Sequence, residues 1–122
     1  MLKIEQEHTE DGYTICRPIG ELDAFTVSQF RQALAEIASQ PRLIIDMSGV
    51  PFVDSAGLGA LIGGIRRARE LGGDVAVVCN RPSLVRTLRT TGFDRIVTLT
   101  DNVDDAKAAF EKQPGTGAPA ER

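Results

Sequence analysis

The sequence predicts an α/β domain: a mixed central sheet of about five strands, an N-terminal hairpin and then parallel strands, with about four helices. Three observations predict it. The first nineteen residues hold two stretches that alternate apolar and polar residues around a turn signal. Leu43-Ile44-Ile45 and Val75-Ala76-Val77-Val78-Cys79 are short continuous apolar runs, as in strands buried on both faces. Stretches of helical periodicity separate and follow these runs. The order β-β-α-β-α-β-α-β-α then calls for parallel middle strands covered by helices.

Residues 2–8 and 13–19 form the hairpin. Leu2 and Ile4 alternate with Lys3 and Glu5, Tyr13 and Ile15 flank Thr14, and Glu10-Asp11-Gly12 supplies the turn. Pro18 has no ladder N–H, so the second strand is expected to end or bulge near it. Val27, Phe30, Leu34, Ile37 and Ala38 follow helical spacing from about residue 27, with Pro41 beyond the end. Thr26, with Gln29 three residues on, reads as a capping box.

A second helix spans about 56–71, with Leu58, Leu61, Ile62, Ile65 and Ala68 on one side and Gly72-Gly73 closing it. Pro82 opens a third, whose apolar face is Leu84, Val85 and Leu88 and which stops at Gly92. Ile96-Val97-Thr98-Leu99 reads as a short last strand. Asp101 or Asn102 caps a final helix, with Val103, Ala106 and Phe110 inward, Asp104 and Asp105 in its first turn and Lys112 near its end. The domain therefore covers 1–112, and 113–122 is a Pro/Gly-rich tail expected to be disordered.

Composition narrows the function classes. A chain of 122 residues, 42% hydrophobic, can bury a real core without a disulfide or metal staple. Fourteen basic against seventeen acidic side chains leave a net charge of −3, which argues against a nucleic-acid partner. Cys16 and Cys79 sit in apolar stretches and read as reduced core thiols. His8 is the single histidine, so no His-rich metal site can form. Met1 is not followed by a basic start and apolar run, and no apolar stretch approaches the ~20 residues of a membrane span. A soluble cytoplasmic protein without direct membrane contact is expected.

The segment from Asp46 to Gly59 carries the chemistry. A buried strand leads through a loop to a helix beginning at Asp54-Ser55. Both residues are good helix caps, so Ser55 can be a cap and nothing more. It also sits where loops of α/β folds carry ligand chemistry. A phosphate on Ser55 would face the free N–H groups and positive end of the helix, adding ~1.5–2 negative charges beside Asp54 and changing the surface a partner meets. Opposite the apolar stripe of this helix lie Ala56, Ala60, Gly63, Gly64 and Arg67. Glycine in a helix interior costs roughly 1 kcal/mol relative to alanine, so something should compensate for Gly63-Gly64. Two readings stay open: a flat face for a docking partner, or close packing within the protein.

Other constellations fail on their chemistry. A serine hydrolase would need a base for Ser55, and His8 lies in the first strand; Asp54-Ser55-Ala56-Gly57 is no nucleophile elbow. No phosphate-cradling glycine motif appears, since Gly57-Leu58-Gly59 alone is weak. Arg66, Arg67, Arg69, Arg81, Arg86 and Arg89 read as solvated helix faces, some of which could meet an acidic partner.

Residues from about 4 to 111 resemble a STAS domain, the fold of bacterial anti-sigma factor antagonists and sulfate-transporter tails. Gly20-Glu21-Leu22-Asp23 is similar to the family's G-x-L-D turn. Residues 43–59, from Leu43 through Asp54-Ser55-Ala56-Gly57 to Gly59, are similar to its strand and phosphorylation loop. Thr91-Gly92-Phe93-Asp94-Arg95-Ile96 is similar to its turn after the third helix. The resemblance implies a regulator and not an enzyme, with no cofactor of its own. Ser55 would be phosphorylated by an anti-sigma factor that is also a serine kinase using its own ATP, and a serine/threonine phosphatase would reset it. Unphosphorylated protein would bind the anti-sigma factor and free a sigma factor, a partner switch. Asp23 and Asp54 would lie beside the acceptor. Gly57 joins Ala56, Ala60, Gly63, Gly64 and Arg67 on the docking surface. Ala56 stands where relatives often carry a second Ser or Thr, leaving Ser55 as the acceptor of that pair. Two alternatives are an unphosphorylated STAS subunit of a membrane transporter and a sensor of nucleotides or small ligands.

Overall fold

The alternating N-terminus folds into the expected hairpin. Strand β1 (Lys3–His8) pairs antiparallel with β2 (Thr14–Ile19), Lys3 opposite Ile19 and His8 opposite Thr14. The structure is a computed structural model and describes residues 1–112. Four helices and three further strands follow: α1 (Val27–Ile37), β3 (Arg42–Asp46), α2 (Ser55–Glu70), β4 (Asp74–Val78), α3 (Pro82–Thr90), β5 (Thr98–Thr100) and α4 (Val103–Glu111). The sheet order is β1-β2-β3-β4-β5, and every pairing after the hairpin is parallel. The expected 113–122 tail lies outside the described residues.

The continuous apolar runs bury both sheet faces, and alternate residues divide between two cores. Cys16, Leu43, Ile45, Val75 and Val77 join Phe30, Leu34, Leu61, Ile65, Leu84 and Leu88 in the larger core, under α1, α2 and α3. Tyr13, Ile15, Ile44, Ala76 and Val78 meet Ala106 and Phe110 of α4 on the other face. There the Tyr13 hydroxyl donates to Glu111 Oε2 at 2.9 Å, and the Lys107 ammonium lies 5.3 Å from the ring centre. Burial and the Glu111 carboxylate push the Tyr13 phenol above its ordinary pKa.

Some local details differ from the sequence expectations for identifiable reasons, whereas strand β2 ends near Pro18 as expected, one residue on at Ile19. Its pairing with β3 has already ceased at Cys16 and only β1 continues alongside, so the missing N–H interrupts no ladder with β3. The Thr26–Gln29 capping box does not form. Thr26 Oγ1 is taken by the preceding turn, accepting from Asp23 N–H at 3.1 Å and donating to Glu21 C=O at 2.9 Å. Gln29 instead donates its side-chain amide to Leu2 C=O. The last strand starts two residues late, at Thr98. Gly92, at φ +80°, opens a 3-10 turn over Phe93–Arg95, and Ile96 N–H is held by Phe93 C=O. Of the two candidates, Asn102 caps α4, its Oδ1 accepting from Asp105 N–H at 2.8 Å.

Both cysteines are free and buried, as expected of core thiols. Burial pushes the Cys16 thiol up from 9.0 to about 11 and also raises Cys79. A thiol held neutral by the fold contributes stability that is intact below pH 9.0 and is lost as pH rises through about 11. Urea midpoints should therefore fall between pH 8 and pH 10.5, and fall less in Cys16→Ala. A decline identical in the variant would refute the assignment. Both thiols should also resist a disulfide reagent at pH 8 until denaturant is added.

Candidate functional site

The centre of the site is the start of α2. Strand β3 ends at Asp46, and the loop beyond it is anchored by Met47 N–H to Val78 C=O at 2.7 Å, with Val50 fully buried. Asp54 then takes an extended backbone (φ −92°, ψ −175°) and caps the helix. Its Oδ1 accepts from Gly57 N–H at 2.9 Å and its carbonyl from Leu58 N–H at 2.9 Å. Capping belongs to Asp54 and not to Ser55. Ser55 is the first residue of α2, exposed and spared that role.

A second loop, between β2 and α1, is stitched to this one. Leu22 and Val53 form an isolated parallel bridge. Leu22 N–H donates to Phe52 C=O, and Asp54 N–H donates to Leu22 C=O, each at 3.0 Å. Ala24 N–H reaches Asp54 Oδ2 at 3.1 Å. The two oxygens of one carboxylate thus cap the helix and hold the neighbouring loop. Asp23 shapes that loop: its Oδ1 accepts from Phe25 N–H at 2.9 Å and Thr26 N–H at 3.1 Å. Asp23, Asp54 and Ser55 are therefore gathered at the end of the sheet where the parallel strands finish. Gly57 permits the approach, because a Cβ there would stand 2.7 Å from Leu22 C=O and 2.9 Å from Leu22 Cβ.

The small-residue face of α2 is corrected. Gly57 and Ala60 are buried, and Gly64 packs against α1, where an added Cβ would come within 2.6 Å of Leu34 Cδ1. These three residues serve internal packing. Helix α2 lies against both the sheet and α1, so its buried arc is wider than a single apolar stripe and reaches into the small residues. Ala56 is half-buried; Gly63 and Arg67 are exposed, with Arg67 3.7 Å from Glu70. The exposed stripe running from Ser55 is Gly59, Gly63 and Arg66. Leu58 and Ile62 are half-buried against the larger core. Arg66, Arg69, Arg81, Arg86 and Arg89 are all exposed, and Arg69 donates to Ile96 C=O.

Two features escaped the sequence reading. A largely apolar groove of about 230 Å³ opens beside Ser55, lined by Val53, Asp54, Leu58, Leu84, Thr87 and Leu88. Phe25 is 94% exposed and Phe52 52% exposed. Phe25 stands outside the helical apolar spacing that starts at Val27, which was the available signal. His8 lies at the opposite end of the sheet from Ser55, its Nδ1 3.1 Å from Thr14 Oγ1, so it cannot serve Ser55 as a base. Among the described residues no group of three or more His, Cys, Asp or Glu side chains could hold a metal ion. No helix among them is long and apolar enough to cross a membrane.

Comparison with known proteins agrees with this geometry. The STAS domain family model matches residues 3–106. An anti-sigma F factor antagonist of Paenibacillus polymyxa is 31% identical over 113 residues, covering 90% of this chain and 96% of that one. An anti-sigma-B factor antagonist of Bacillus subtilis is 28% identical over 81 residues, 66% of this chain and 74% of that one. The crystal structure of an anti-sigma factor antagonist from Mycobacterium paratuberculosis superposes with a TM-score of 0.82 at 30% identity, covering 91% of this chain and 95% of that one.

Proposed function

The chain is a member of the STAS domain family, and from that premise we propose that it is an anti-sigma factor antagonist controlled by phosphorylation of Ser55. It is a regulatory protein and not an enzyme, and its partner is an anti-sigma factor. In this reading unphosphorylated protein binds that factor in the cytoplasm and frees a sigma factor. The anti-sigma factor doubles as a serine kinase. It transfers the γ-phosphoryl group of its own ATP to Ser55 Oγ, the hydroxyl proton passes to a base on the kinase, and ADP leaves. A serine/threonine phosphatase returns Ser55 by hydrolysis. The ATP belongs to the kinase.

One observation carries the reading: Asp54 caps the helix and ties Ala24 of the neighbouring loop, while Ser55 takes no part in either and is exposed on the first turn. Modifying Ser55 therefore leaves the framework of the site in place. The phosphate adds ~1.5–2 negative charges next to the Asp54 carboxylate. The result is a charge switch at the docking surface with the fold retained.

Titration against each purified anti-sigma factor of the source organism tests it. Ser55→Ala should bind as tightly as the parent and resist phosphorylation. Ser55→Asp should bind about 10- to 100-fold more weakly, since like-charge juxtaposition across an interface costs several kcal/mol. Equal affinity of Ser55→Asp and parent would defeat the electrostatic account. Phosphosite mapping on protein from its own cells should place one phosphate on Ser55.

A further inference from the structure

We propose that Phe25 is the aromatic anchor of this docking surface, seated in an apolar pocket of the anti-sigma partner beside Ser55; the proposal rests on the partner-switching reading above. The chain has five phenylalanines. Phe30, Phe93 and Phe110 are buried in the two cores, whereas Phe25 and Phe52 face solvent, 94% and 52% exposed. Both exposed rings belong to the two loops stitched together at Asp54. Phe52 lends its carbonyl to Leu22 N–H, and Phe25 follows Ala24, whose N–H is held by Asp54 Oδ2.

The loop that presents Phe25 is tightly tied. Phe25 N–H donates to Asp23 Oδ1 at 2.9 Å, and Thr26 Oγ1 links Asp23 N–H to Glu21 C=O. The N–H groups of Ala24, Phe25 and Thr26 are thus all paired within the loop and its neighbour, which fixes the backbone that carries the ring. With the loop backbone fixed before binding, burying the ring against a partner has only its side-chain rotamers to order. Buried aromatic residues near the centre of an interface supply a large share of binding energy.

The occupant follows from continuity with the switch. Phe25 is one residue from Ala24, Ser55 is one residue from Asp54, and Ala24 is hydrogen-bonded to Asp54. A protein surface close enough to sense a phosphate on Ser55 must also cover the Phe25 loop. Phosphorylation would then act on an interface whose affinity is supplied nearby by the ring. Ser55 decides whether the partner docks, and Phe25 determines how tightly it is held.

The experiment is calorimetric titration of the intact protein, Phe25→Ala and Phe25→Leu with each purified anti-sigma factor of the source organism. The oligomeric state of each variant is measured by sedimentation. Phe25→Ala should bind roughly 30-fold more weakly or worse, most of the change appearing as faster dissociation. Phe25→Leu should recover most of that loss. Because the ring touches solvent, the Tm of Phe25→Ala should match the parent, which assigns the loss to the surface. Parent binding with Phe25→Ala within threefold overturns the anchor and leaves the partner-switching reading standing. A parent dimer that Phe25→Ala converts to monomer identifies a second copy as the occupant and also overturns the proposal. Failure of every anti-sigma factor to bind the parent removes the functional reading and the anchor with it.

Discussion

Phe30→Ala will lower the unfolding free energy by about 3–5 kcal/mol, the usual cost of removing a buried aromatic side chain. The ring is fully buried on α1, in the core that also holds Leu22, Val50 and Leu61. The loss combines lost apolar transfer with a cavity that the surrounding core can collapse into only partly. Against the ~5–15 kcal/mol typical of whole domains, this leaves the variant marginal near room temperature. Urea unfolding followed by circular dichroism measures it. A change under about 1.5 kcal/mol would mean that the space left by the ring refills easily, contrary to close packing there.

Gly57→Val is the second large effect, at about 3 kcal/mol, the upper end of what inserted atoms in a well-packed region cost. Even the first added carbon meets the carbonyl oxygen of Leu22 at 2.7 Å and its Cβ at 2.9 Å. The obstacle includes backbone, so a rotamer change cannot relieve it. Either the first turn of α2 moves or the β2–α1 loop does. Both movements stretch the Asp54-to-Leu22 and Ala24-to-Asp54 bonds that place Phe25 beside Ser55. Partner affinity should therefore fall together with stability. Gly59→Ala and Gly63→Ala are the controls on the same helix: an added Cβ there meets nothing within 4 Å. Both substitutions should be neutral or slightly stabilising, because alanine is the better helix former.

The sequence was a reliable guide wherever one dominant local cause decided the outcome. Continuous apolar runs at 43–45 and 75–79 could satisfy two covered faces and little else, so strand identity and parallel order followed. Asp54-Ser55 ahead of a periodic stretch marked a helix start, and the structure has one there. Two expectations failed where a competing partner won. Thr26 was drawn into the Asp23 turn instead of capping α1, and Ile96 was held by a 3-10 turn. Neither of these competitors is visible in a local window, because each depends on what lies beside the residue in space.

The same division runs through the site. The sequence by itself determined the order of elements along the chain with parallel middle strands, the placement of Ser55 at a helix start beyond a buried strand, and the resemblance that pointed to a regulator. These depend on periodicity and on short motifs, which are local properties of the chain. Only the tertiary structure decided which of two adjacent caps does the capping, freeing Ser55. It turned Gly57, Ala60 and Gly64 from a docking face into packing contacts, and it brought exposed Phe25 to the loop that bears the serine. Periodicity ranks the faces of a helix but not how many neighbours it has; α2 is pressed by both a sheet and a helix. Two loops thirty residues apart become one surface through the backbone bonds of Leu22 and a carboxylate with two acceptor oxygens, contacts that exist only once the chain has folded.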